Sequence, residues 1–171
     1  MVGGTLIKAF TMLYFKKVVL DNTDSNTVEC ALRRYAIKRY TPLDLNRSLY
    51  GIGSDMLFMG RETQERICFT RLRTELMLFF PKLIIAFEKK EGFNSYSIRY
   101  NLWSMLFIGF AMLIIILGLF RSMEGKLDEN AVFFTCVMFV FWGVTQLEIK
   151  LLKRQIDKAI NLYKSETTMV Q

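Results

Sequence analysis

The run YNLWSMLFIGFAMLIIILGLF, from Tyr100 to Phe120, decides how the rest of this chain is read, because no charge interrupts it between Arg99 and Arg121. A helix advances about 1.5 Å per residue, so the run reaches about 30 Å, the thickness of a bilayer's hydrocarbon core. A second apolar run, Ala131 to Leu147, follows a polar link, Arg121 to Asn130, that holds Gly125 and five charged residues. It is slightly short, a deficit that snorkelling by Lys150 and local thinning of the lipid cover. Spans over 100–120 and 131–147 make a transmembrane helical hairpin, with a buried hairpin of a soluble protein as the alternative.

Working outward, the flanks orient the hairpin. Lys82, Lys89, Lys90 and Arg99 precede the first span, and Lys150, Lys153, Arg154, Lys158 and Lys164 follow the second. The link carries only Arg121 and Lys126. The excess of Lys and Arg on the two outer flanks places both termini in the cytoplasm, or in the matrix if the membrane is mitochondrial. The expected product is a multi-pass integral membrane protein of an inner or plasma membrane. Trp103 and Trp142 fall near the same edge, as half an aromatic belt.

The expected fold is mainly α. Residues 1–99 form a cytoplasmic, mostly helical domain, 100–147 the hairpin, and 148–171 a cytoplasmic helix and tail. Asn26 followed by Glu29 reads as a capping box opening a helix with Val28, Leu32, Tyr35 and Ala36 on one side. Its basic residues, Arg33, Arg34, Lys38 and Arg39, with Lys89 and Lys90, are either simply solvated or set against lipid headgroups. Thr41-Pro42 ends that helix and can start another. From Arg61 a longer helix is expected, striped by Cys68, Leu72, Leu76 and Phe80, with Glu62 and Arg66 paired one turn apart. Leu76 to Phe87 reads as a core helix or an interfacial segment. A third option pairs Leu83–Phe87 with Tyr96–Tyr100 in a β-hairpin about Lys-Lys-Glu-Gly, against a helix capped by Asn94 or Ser95.

Neither span holds an ionisable residue, which argues against a proton relay or ion pump within this chain. Ala131, Thr135 and Gly143 lie along one stripe of the second span, where small residues let another helix approach, either the first span or a second subunit. After that span, Ile149, Leu152, Ile156 and Tyr163 keep helical spacing, as a packing seam or an oligomerisation stalk.

The chain has 171 residues, a net charge of +7, 15 Phe, three Cys and no His. Absence of histidine removes Ser–His and Cys–His nucleophiles and most zinc sites, and the cysteines have no metal-ligand spacing. Gly51-Ile-Gly53-Ser54-Asp55 lacks the third glycine and the Lys-Ser/Thr pair of nucleotide loops. Catalytic residues, cofactors and metals are therefore not expected, and the positive charge is assigned to an anionic membrane surface rather than nucleic acid.

A charged helix, two spans and a trailing charged helix, from about Arg99 to Lys164 and including the local run Arg-Tyr-Asn-Leu-Trp-Ser, resemble the layout of SLATT-type two-helix effectors of bacterial defence systems. The resemblance implies a self-assembling effector or pore that perturbs the bilayer when its cytoplasmic part is triggered. Composition and pattern by themselves point to a non-enzymatic subunit whose partners are membrane lipids and protein, as a homo-oligomer or within a larger membrane complex.

Overall fold

The computed structural model describes residues 15–20, 24–44, 56–73, 80–90, 92–123 and 129–169. Six strands and three helices alternate along them: β1 (Lys16–Val19), α1 (Ser25–Arg34), β2 (Ala36–Lys38), β3 (Phe58–Glu62), β4 (Arg66–Arg71), β5 (Leu83–Glu88), β6 (Ser95–Tyr100), α2 (Leu102–Met123) and α3 (Glu129–Met169). The mainly-α expectation is thus overturned: ahead of the hairpin stands one six-stranded mixed sheet, ordered β1-β6-β5-β4-β3-β2. β2 runs parallel to β3, and every other neighbouring pair is antiparallel.

Local chemistry explains the differences. Asp24, rather than Asn26, caps α1, its carboxylate accepting from the Thr27 amide at 3.3 Å. The helix stops at Tyr35 and the chain turns directly into β2, so Lys38 and Arg39 leave the helix that was expected to carry them. The expected helix from Arg61 is a β-hairpin, closed where Thr63 Oγ1 donates to the Arg66 carbonyl at 2.9 Å. Glu62 and Arg66 therefore lie on different strands and take other partners, Arg33 and Lys89 for Glu62 and Glu88 for Arg66. No helix starts at Thr41-Pro42 among the described residues; 45–55, with Gly51–Asp55, and 74–79, with Leu76, lie outside them. Of the readings offered for 83–100, the β-hairpin is the one found, with Leu83 opposite Tyr100 and a left-handed Gly92 (φ 72°) in the turn. Only glycine adopts that conformation without strain.

One face of the sheet carries most of the core. Rings of Phe58, Phe69 and Phe87 touch in sequence, and Phe87 also meets Phe93 and Tyr96, with centroids 5.0–6.3 Å apart. Over them lie Val28, Ala31 and Leu32 of α1 and Ile149, Leu152, Ile156, Ala159 and Ile160 of α3. The trailing helix is thus a layer of the sheet domain itself, with Ile149, Leu152 and Ile156 buried and Tyr163 packed at its margin. A smaller cluster, Leu43, Met59 and Ile84, occupies the opposite face.

Candidate functional site

Two features stand out in the surface chemistry: an unburied apolar hairpin, and the charged junction on which it stands. α2 and the first part of α3 are long and apolar enough to cross a membrane, and only 11% and 17% of their most apolar stretches are buried. A core hairpin of a soluble domain would be mostly buried. Leu106, Leu113, Leu117, Leu119 and Phe120 on α2, and Val132, Phe133, Phe139, Val140 and Leu147 on α3, all face outward. Contiguous apolar surface on this scale marks contact with lipid or protein.

The two helices meet through aromatic pairs, Phe107–Phe141 at 5.5 Å and Phe110–Phe134 at 6.0 Å, around a fully buried Ala111. Ala131 is half-buried, while Thr135 is exposed and donates its hydroxyl back to the Ala131 carbonyl at 2.7 Å. Nothing stands within 4 Å of where a Cβ on Gly143 would lie. The small-residue stripe therefore does not form the seam between the chain's own helices.

At the sheet end, α2 begins directly after β6. Asn101 caps it, accepting from the Ser104 amide at 3.0 Å and donating its own amide to the Lys82 carbonyl at 2.9 Å. Asp44 accepts from the Leu102 amide at 2.9 Å and from both terminal nitrogens of Arg99 at 3.0 and 2.8 Å. Burial works against the Asp44 carboxylate, yet the Arg99 contacts outweigh it and hold its pKa below the usual value. Trp103 and Trp142 are exposed near this end.

Beside this cap, Glu148 is 1% exposed and accepts from Arg71 at 2.7 Å and Arg73 at 3.2 Å. Arg73 also donates to the carbonyls of Phe80 and Pro81 at 2.7 and 2.6 Å. Desolvation lowers the Arg73 pKa, partly offset by Glu148. Lys82 donates to the Leu43 carbonyl, and burial, reinforced by Arg73, pulls its pKa down to about 8. Tyr100 donates to Thr145 at 3.3 Å, closing the base of the hairpin. This cluster joins β4, β5, β6 and α3, and its carboxylate carries a signal in the sequence: Glu148 sits among Thr145, Ile149 and Leu152, where an exposed charge does not belong.

The basic residues expected to form one face are dispersed. Arg33 is held by Glu29 and Glu62, both at 2.8 Å. Arg34 lies 3.9 Å from Glu166 on an exposed surface, Lys89 pairs with Glu62 at 2.8 Å, and Lys90 is exposed in the β5–β6 turn. Lys38 and Arg39 lie at the β2 edge of the sheet. Comparison of the chain with protein-family models, curated proteins and solved structures finds no match.

Proposed function

We propose that this chain is a non-enzymatic integral membrane protein that crosses its bilayer twice and assembles, through its hairpin, with further membrane-embedded protein. The outward apolar surface of α2 and α3, set on a hydrogen-bonded charged base, carries the reading. Lipid gives little hydrophobic drive between helices, so association there relies on close packing, for which Thr135 and Gly143, one turn either side of the exposed Phe139, offer small positions. The basic flanks put the sheet domain and both termini on the cytoplasmic side.

Native mass measurement after purification in mild detergent tests assembly; the expected result is a species heavier than one chain, and a lone monomer at every concentration refutes it. Orientation is checked separately by thiol labelling of intact cells, with Cys30, Cys68 and Cys136 replaced by Ser. A cysteine at Lys126 should be reached from outside and one at Ser165 should not; the reverse pattern overturns the topology.

A further inference from the structure

We infer that the corner of the sheet formed by β2 and β3 is a binding site for a soluble, phosphate-bearing small molecule. A cavity of about 350 Å³ opens there, within the range of small-molecule sites. Its walls carry four cations, Arg33, Lys38, Arg39 and Arg61, and one carboxylate, Glu62. Arg33 is spent: its Nε donates to Glu29 at 2.8 Å, and its terminal nitrogens donate to Glu62 at 2.8 and 3.1 Å. Glu62 in turn also holds Lys89, so the one negative charge in the cavity is fully committed. Lys38, Arg39 and Arg61 make no ion pair among the described residues.

Arg39 is the pointed case. Its backbone amide donates to the Gly60 carbonyl at 2.7 Å, which tethers it to the sheet edge. Its Nε is buried and finds no acceptor among the described residues. Buried charged donors are strongly disfavoured without a partner, and a phosphate oxygen supplies one in the geometry that guanidinium groups suit best. The floor is apolar. A Cβ on Gly60 would stand 3.0 Å from the Phe69 ring, so glycine is what lets that ring lie close over the strand. Tyr40, 95% exposed, stands at the rim. Cations above an apolar floor suit a ligand with both an anionic and a flat or apolar part, such as a nucleotide.

A lipid headgroup shares the phosphate chemistry, and the placement argues against it. β2 lies four strands from β6, the strand that feeds α2, about 19 Å away at the usual strand spacing. The Gly60–Phe69 row is also two residues along the strands from the row of Tyr100. The site therefore sits at the sheet corner away from the hairpin, and the inference does not depend on whether the hairpin assembles.

Titration calorimetry on the full chain in neutral phosphatidylcholine nanodiscs tests it, with ADP and inorganic pyrophosphate as probes. Saturable binding of ADP is expected, with pyrophosphate weaker. Arg39→Ala and Arg61→Ala should each weaken ADP at least tenfold, a threshold of about 1.4 kcal/mol. Arg34→Ala, on α1 outside the cavity, should leave affinity unchanged. No saturable binding of either probe overturns the inference, as does equal weakening by Arg34→Ala, which would mean diffuse charge. So does an Arg39-dependent affinity for phosphatidylglycerol nanodiscs with none for ADP, which would assign the site to lipid.

Discussion

At the scale of single residues, the junction concentrates the electrostatics of the molecule. Glu148, Arg71 and Arg73 are all buried, so each charge depends on the others for solvation. We predict that Glu148→Gln destabilises the sheet domain by about 3–5 kcal/mol, because two guanidinium groups lose their buried counter-charge. Chemical unfolding in detergent checks this, and a loss below about 1 kcal/mol would mean that water already solvates the cluster. Lys82 yields a pH signature. Its folded pKa of about 8 lies below its ordinary 10.5, so between those values the unfolded chain binds more protons than the folded one. Stability contributed by Lys82 therefore rises with pH across that window. Unfolding midpoints at pH 8 and pH 10 should show the wild type gaining on Lys82→Met, and parallel midpoints would exclude the effect. Glu62 behaves oppositely: Arg33 and Lys89 lower its pKa from 4.5 to about 2, so its contribution is present above the first value and is lost as pH falls toward the second. Glu148 was not singled out in the sequence, and its partners lie more than seventy residues away, so no local pattern names them.

Among the elements, helices whose surroundings are uniform were legible and strands were not. Uncharged length alone identifies both apolar helices. β5, by contrast, is buried on both faces and so shows no alternation, while β4 places Cys68 at a spacing from Leu72 that imitates a helical stripe. Tyr96, Ile98 and Tyr100 do alternate with polar neighbours, which is why the β5–β6 hairpin, alone of the strand pairs, was among the readings offered. Within α3, the 3–4 spacing of Ile149, Leu152 and Ile156 marks an apolar face, and that face packs against both α1 and the sheet. Ile156→Asp should therefore destabilise the folded domain by several kcal/mol, since a carboxylate would enter a fully buried site, whereas Lys153→Ala should change little. Equal thermal midpoints for the two variants would contradict the packing. Gly143→Leu tests the other half of the helix. The space beside Gly143 is open, so the fold should tolerate leucine and even gain about 1 kcal/mol of helix propensity. The heavier assembled species should nevertheless disappear from size-exclusion profiles, and its persistence would remove the stripe from the interface.

For the whole molecule, the base of the hairpin is nearly closed, with Tyr100 hydrogen-bonded to Thr145. Replacing residues 102–144 by a short Gly-Ser loop should leave a water-soluble, cooperatively unfolding sheet domain. Truncation after Leu147 should not, because it strips Ile149, Leu152, Ile156 and Ile160 from the core, side chains worth roughly 1.5–3 kcal/mol each. Far-UV circular dichroism and urea titration of the two products distinguish these outcomes. That division of α3 also imposes an order on synthesis. Every strand of the sheet leaves the ribosome before either apolar helix, yet the last layer of its core is translated only after both. Until then the aromatic face of the nascent sheet is partly bare, the condition in which chaperones engage and mispairing begins. If both apolar helices must insert, a chain that inserts only one carries residues 148–169 to the wrong side and never completes the domain, so quality-control proteases can remove failed insertions by recognising an unfinished fold.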